Sequence, residues 1–305
     1  MLQRDIFIKE IIKSLEKDKN IFFLSADFGA ASLDKLRELF PDNFLHCGIS
    51  EQAMLDIAAG LALDGKKVFV YAMAPFLALR SIEQAKCGAG LMNLPICLIS
   101  VGVGLGYADA GPTHYTTEDF ACFRSIIGSS IYTPSDSSLT KLVAEEILEE
   151  PKFSYIRLDR ESLPEISPNI TKVEYKKGFR IFGEKENNKI VLISHGKMLH
   201  KCLEIKNKFP EKYICVDLFR SKPFPKELIK EISSTKGFVV VDEQSPSGNL
   251  SSCVFEGFSE NNTFPKIISK SLPENYIFEN GGREYLLNKF GLSEKDIINA
   301  ASKII

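Results

Sequence analysis

Glu51 stands where a carboxylate can do chemistry. It follows His46-Cys47-Gly48-Ile49-Ser50, at the junction of a strand, Phe44 to His46, and a helix rich in Ala, Leu and Ile that runs to about Asp64. Ser50 is a good helix cap, Glu51 takes the first helical position, and Gly65 is a natural stop. A carboxylate there has a bland explanation, because the helix dipole favours it by roughly 0.3–1 kcal/mol. A catalytic role is the alternative. Phe76, in Ala74-Pro75-Phe76-Leu77, follows a strand. Core packing is its default reading, and a platform under a planar heterocycle is the alternative. His114 lies at the end of a loop rich in Gly and Asp, Gly102 to His114, where an imidazole can serve as acid, base or hydrogen-bond donor. The other histidines, His46, His195 and His200, lack metal-ligand spacing and read as structural. Gly102-Val103-Gly104-Leu105-Gly106 invites a dinucleotide reading, but that fingerprint needs glycine where Tyr107 stands. These glycines are better placed to let the backbone approach a ligand or a partner chain.

Composition bounds what these residues can serve. The chain has 305 residues, 44% hydrophobic and 26% charged, with a formal net charge of -2. That length predicts two domains, and that charge gives no electrostatic case for nucleic acid or an anionic membrane. No apolar run approaches the roughly 20 residues of a membrane span, and the first residues do not read as a signal peptide. The seven cysteines form no CxxC pair and read as free thiols of a cytoplasmic protein.

The elements that position Glu51, Phe76 and His114 alternate. Apolar residues at Ile8, Ile11, Ile12 and Leu15 predict a helix over Arg4 to Lys17. Strands are predicted at Ile21–Ser25, Phe44–His46, Lys67–Tyr71, Pro95–Val101, Ser130–Thr133 and Phe153–Leu158. The helices between them include one capped by Ser32 and one from Pro75 to about Ala89. The pattern predicts an α/β protein of two domains, each a doubly wound, mostly parallel sheet covered by helices on both faces. In such sheets ligands bind at the carboxyl ends of strands. The turn at Asp27, the segment at Glu51, Tyr71–Phe76 and Gly102–His114 all lie there. Residues 159–177, with Pro164 and Pro168, read as a linker between domains 1–158 and 178–305.

Four segments then resemble one family, in its order and at about its spacing. Gly48-Ile49-Ser50-Glu51-Gln52 is similar to the G-I-A-E-Q segment of the transketolase family. Phe76-Leu77-Ala78-Leu79-Arg80-Ser81-Ile82-Glu83-Gln84 resembles its F-A-A-G-R-A-F-E-Q, Asp109-Ala110-Gly111-Pro112-Thr113-His114 its E-D-G-P-T-H, and Leu158-Asp159-Arg160-Glu161-Ser162-Leu163-Pro164 its L-S-R-Q-x-L-P. The likeness continues through Val239–Gln244 and Gly291–Ile297. No G-D-G motif of the diphosphate- and magnesium-binding domain occurs in the sequence. The resemblance therefore implies the C-terminal subunit of a split transketolase: a pyrimidine-binding domain, 1–158, and a transketolase C-terminal domain, 178–305.

What the resemblance implies is ketol transfer. Thiamine diphosphate lies between this chain and a partner subunit that binds the diphosphate and Mg2+, within a heterotetramer in which this chain also self-associates. Glu51 hydrogen-bonds the aminopyrimidine and favours the tautomer that activates the thiazolium. Phe76 stacks on that ring, Met73 replaces a family phenylalanine, and Asp27, Ile49 and Arg80 line the cofactor site. His114 and Asp109 face the sugar, His114 with a catalytic part, and Arg160 grips a substrate phosphate. Two departures bear on the substrate. Ala110 replaces the acidic residue before G-P-T-H, and Glu161 replaces a glutamine and would repel a phosphate that it faced. The rivals are the small subunit of a 2-oxoacid dehydrogenase and a non-catalytic assembly subunit of the same fold.

Overall fold

β1 (Ile21–Ala26) is flanked on its two sides by the next two strands of the chain, β2 (Phe44–Gly48) and β3 (Lys67–Met73). This is the centre of the first of two units seen in a computed structural model, which describes residues 1–26 and 29–304. The unit comprises Met1–Val103, Cys122–Tyr132 and Asp136–Pro168. Its remaining strands are β4 (Ile96–Val101), β5 (Ser130–Tyr132) and β6 (Ser154–Leu158). They lie in the order β5-β6-β4-β3-β1-β2, and each of these pairs is parallel. Every residue of β4, β5 and β6 is buried, as in a sheet covered on both faces. Because the chain leaves β1 for one neighbour and returns to the other side for β3, the winding reverses between them. At such a point the loops diverge and a crevice opens at the carboxyl ends.

The helices form where the pattern places them, with instructive differences. Helix Gln3–Leu15 buries Ile8, Ile11, Ile12 and Leu15. Burying one such side chain contributes about 1.5–3 kcal/mol. Helix Ala31–Leu39 begins one residue before Ser32, whose hydroxyl donates to the Asp5 carboxylate at 2.8 Å and so does not cap. The single helix expected from Pro75 is two π-helical stretches, Phe76–Arg80 and Ala85–Leu91, around one α turn, Ile82–Gln84. Its small residues allow close approach: a Cβ on Gly88 would lie 3.2 Å from Ala59 Cβ. π turns insert extra residues into a helix and recur at functional sites.

The second unit comprises Gly104–Ala121, Thr133–Ser135 and Asn169–Ile305. Its strands are β7 (Arg180–Phe182), β8 (Ile190–Ser194), β9 (Tyr213–Asp217), β10 (Arg220–Lys222), β11 (Gly237–Val241) and β12 (Ile267–Lys270). The sheet runs β12-β11-β8-β9-β7, parallel except for β7, which is antiparallel to β9. Short β7 and β10 carry no periodicity of their own and were not predicted, nor was edge strand β12. A short helix, Lys172–Lys176, with a Thr171/Glu174 capping box, stands within the stretch expected to be linker. The glycine-rich segment from Gly104 groups with this second unit although it follows β4.

All seven cysteines are free thiols: Cys97, Cys202, Cys215 and Cys253 are buried, Cys47 and Cys122 half-buried, and Cys87 exposed. Among the described residues, no helix is long and apolar enough to cross a membrane.

Candidate active site

Glu51 begins the helix Glu51–Leu63 and is buried, with 3% of its surface exposed. Gly48, at φ +67°, turns the chain out of β2. Ser50 stands at the cap position, but its hydroxyl donates back to the Cys47 carbonyl, so the first helical turn keeps its N–H groups for other acceptors. Ile49, just before it, is 75% exposed. β3 ends at Met73, which is half-buried, and the π turn Phe76–Arg80 starts three residues later, after Pro75. Phe76 and Arg80 are four residues apart and share a helix face. Arg80 Nη1 donates to Glu51 Oε2 at 2.6 Å, and its guanidinium carbon lies 4.6 Å from the centre of the Phe76 ring. The structure thus brings together Glu51, Phe76 and Arg80. Asp27 lies outside the described residues.

This arrangement can be tested against an aminopyrimidine. The buried carboxylate already accepts from a flat cation whose N–H groups lie along its edge, and that cation is stacked on an aromatic ring. A planar heterocycle with an N–H edge needs the same acceptor and the same ring face. The donor set fits.

His114 and Asp109 sit in the second unit, on a loop closed at its base. Gly104 N–H donates to the Thr116 carbonyl at 3.0 Å, and Thr116 N–H returns a bond to Gly104 at 2.8 Å. Such a loop with adjoining ends is an Ω-type loop. Three further ties hold it. Gln244 Nε2 donates to Thr116 O at 2.8 Å. Tyr115 Oη donates to Glu279 O at 2.6 Å. Glu243, buried and gripped by Arg283 through bonds of 2.8 and 2.6 Å, lies against Gly104, where an added Cβ would fall 2.3 Å from Glu243 Oε2. Only glycine fits there, and its φ of +61° is one that L side chains rarely adopt. Within the loop, the His114 ring nitrogen Nδ1 is 2.9 Å from Thr113 Oγ1, and the ring meets Tyr107 edge-on at 6.3 Å. Asp109 is exposed. Burial pushes the Tyr115 phenol above its ordinary value, and the Asp109 and Glu279 carboxylates push it further. Sequence patterns gave no role to Glu243, Gln244 or Arg283. The signals were the family likeness through Val239–Gln244, which gave no role to its residues, and the glycines at Gly102–Gly106, which marked a close approach without naming its partner.

Arg160 follows β6 in the first unit and is exposed. Asp159 N–H donates to Gln3 Oε1, and the Asp159 carboxylate accepts from Glu161 N–H, both at 2.8 Å. A side chain that accepts from the N–H two residues on makes an Asx turn, and it carries Arg160 at its tip. In the second unit a cleft of about 330 Å3 lies beside the loop, lined by Tyr115, Ser245, Tyr276 and two carboxylates, Glu118 and Glu274. Among the described residues no lysine or arginine lines it. His195 reads as structural in place: it is buried, with Nε2 3.2 Å from Asp242 Oδ1 and Phe120 edge-on at 5.5 Å.

Residues 2–165 match the family described as "Transketolase, pyrimidine binding domain", and residues 183–297 match "Transketolase, C-terminal domain". A protein of Phocaeicola vulgatus, named as a subunit of apulose-4-phosphate transketolase, is 27% identical over 307 residues, covering 99% of this chain and 97% of its own. The 6-deoxy-6-sulfo-D-fructose transketolase subunit SqwH of Clostridium sp. (strain MSTE9) is 27% identical over 306 residues, covering 99% and 94%. A solved structure described as "Split gene transketolase, inactive beta4 tetramer" matches with a TM-score of 0.86 at 27% identity, covering 100% of this chain and 98% of that one. With the first of these families spanning more than half of it and the second following in order, the chain belongs to the transketolase family, as the C-terminal, pyrimidine-binding subunit of a split enzyme.

Proposed function

We propose that this chain works as the pyrimidine-side half of a thiamine-diphosphate-dependent transketolase, moving a two-carbon ketol unit from a ketose to an aldose. Thiamine diphosphate, when bound, supplies an acidic ring carbon that becomes the nucleophile toward the ketose carbonyl. The chain's own residues prepare it. Glu51 would share one proton with a ring nitrogen of the aminopyrimidine, in a buried setting that keeps the pair tight. Phe76 gives the ring a flat face, and Met73 and Ile49 exclude water at its edges. Arg80 borders the pyrimidine seat, and Asp27 belongs to the cofactor side. His114, on the clamped loop with Asp109, donates to sugar hydroxyls and moves protons to or from them. Arg160, at the tip of its Asx turn, holds the anion at the far end of the sugar through its planar fork.

The observation that carries this reading is the buried Glu51 carboxylate beside the Phe76 ring at a helix start. Two relatives whose length this chain spans are named as transketolase subunits, one for a phosphorylated and one for a sulfonated sugar. Both substrates end in an anion that Arg160 would suit. The partner subunit carries the diphosphate and Mg2+ site in a heterotetramer, and this chain pairs with a second copy of itself through both of its domains. The division into a domain at 1–158, a linker at 159–177 and a domain at 178–305 stands as part of the proposal. A cytoplasmic setting agrees with seven free thiols.

Calorimetry tests the reading. Thiamine diphosphate with magnesium should bind the reconstituted pair of subunits and bind this chain alone only weakly. Sub-micromolar binding by this chain alone would sink the split-site reading. Product analysis of the reconstituted pair on a panel of ketoses and aldoses, free, phosphorylated and sulfonated, then names donor and acceptor. Release of carbon dioxide from a 2-oxoacid in place of ketol transfer would favour the dehydrogenase rival.

A further inference from the structure

The Glu51 carboxylate and the Phe76 ring share one neighbour. The same Arg80 guanidinium that donates to Glu51 Oε2 at 2.6 Å lies over the Phe76 ring, 4.6 Å from its centre. A guanidinium and an aminopyrimidine whose ring nitrogen holds the shared proton are alike in what such a seat can read: each is flat, offers an N–H at its edge, and stacks on an aromatic face. We infer that Arg80 is the resident occupant of the pyrimidine seat, pairing with Glu51 and covering Phe76 until the cofactor's ring displaces it. The inference rests on the roles proposed for Glu51 and Phe76.

Burial decides which partner yields. The Glu51 side chain is 4% exposed and the Arg80 side chain 40%. Glu51 cannot leave, because its carboxylate is fixed at the start of a helix and shielded from water. Arg80 can swing its long stem outward and regain water at little cost to its own hydration. Its position at the end of the Phe76–Arg80 π turn puts it on the same face as the ring it covers. While seated, it gives the buried carboxylate a cation, which spares the empty chain an uncompensated charge. It also competes with the cofactor: the apparent affinity of an incoming ligand falls in proportion to the fraction of molecules whose seat is free.

The test is a calorimetric titration of thiamine diphosphate, with magnesium, into the complex of this chain and its partner subunit. Wild type, Arg80→Ala and Arg80→Lys are compared. Wild-type binding is measured first and checks the pyrimidine-site reading itself: no binding there refutes that reading whatever Arg80 does. Given wild-type binding, Arg80→Ala should bind about tenfold more tightly. Its cofactor-free complex should also melt at a lower temperature than wild type, with the difference closing at saturating cofactor. Arg80→Lys keeps a cation near Glu51 but offers no flat face to Phe76, so its affinity should fall between the two. Unchanged or weaker binding by Arg80→Ala would overturn the inference and leave Arg80 as a residue that holds the cofactor or only the fold. Should Arg80→Ala fail to assemble, Arg80→Lys decides alone, with tighter binding than wild type supporting the inference and equal or weaker binding rejecting it.

Discussion

Glu51 owes its position to regular structure, whereas His114 owes its position to tertiary ties. Glu51 is the first residue of a helix entered from a strand, and its neighbours Phe76 and Arg80 share one helical turn. Nothing distant is needed to aim it. His114 rides a loop with no element of its own, and that loop keeps its shape through a two-bond bridge at its base, a buried ion pair against Gly104, a hydrogen bond that Thr116 accepts from Gln244 and one that Tyr115 donates to Glu279. The first arrangement tolerates exchange of its polar partner. The second depends on groups that cannot be moved singly, since a buried charge without its partner is strongly destabilising.

Four measurements test this contrast. The largest effect is expected for Glu51→Gln in the reconstituted enzyme. Loss of a positioned proton-transfer group lowers turnover by about 10²–10⁴-fold, while folding should be nearly unchanged because the helix keeps its start. Steady-state rates and thermal melting together check it, and near wild-type turnover would remove Glu51 from the chemistry. Arg283→Met tests the opposite regime: it strands Glu243 beside Gly104 and should lower stability by about 3–5 kcal/mol. Adding Glu243→Gln should restore part of that loss, and denaturant unfolding of the single and double variants reads the coupling. Simple additivity of the two would mean that the ion pair does not hold the loop.

Arg160→Ala comes next. A lost charged hydrogen-bond partner costs about 1.5–3 kcal/mol of binding, roughly a ten- to hundredfold loss of apparent affinity. The loss should appear on phosphorylated or sulfonated sugars and spare the free sugar and the cofactor. A uniform loss, or none, would make Arg160 a surface residue whose pairs contribute roughly 0–1 kcal/mol. The smallest effect concerns Tyr115. Its phenol is pushed up in the folded chain by burial and by Asp109 and Glu279. Its contribution to stability is therefore whole below the ordinary phenol value near 10 and is lost as pH rises through the folded value. Tyr115→Phe should cost about 1 kcal/mol at neutral pH, and the gap from wild type should narrow above about pH 10. Tyr213, also pushed up by burial, is present in both proteins and cancels in the difference. A gap that stays constant across that range would detach Tyr115 ionisation from the loop.

What the sequence made legible follows the same division. The alternation of strands and helices, the buried parallel strands and the strand-to-helix junction at Glu51 are all set by periodicity and turn residues, which are local. So the α/β class and the junction at Glu51 could be read directly. Ser32 and Ser50 show where local reasoning stops, since each hydroxyl finds another partner, Asp5 in one case and the Cys47 carbonyl in the other. The π turns were hidden because an inserted residue leaves the apolar pattern almost intact. Glu243 and Arg283 were hidden for a stronger reason: forty residues separate them, and only folding makes them partners. His114 itself was visible as an imidazole in a glycine-rich loop, but the clamp that aims the loop was not.

The thiols have a practical use. Cys97, Cys202 and Cys215 are buried and held protonated, with Cys202 pushed up to about 12. Cys47 is half-buried and also pushed up. Since alkylation needs an accessible thiolate, a maleimide dye should attach first at Cys87, the one exposed cysteine. Cys87 belongs to the π turn Ala85–Leu91, a single α turn beyond the one that carries Arg80. The chain thus brings its own labelling position, from which a change in fluorescence on adding cofactor would report movement of that helical run in real time, without a cysteine having to be engineered.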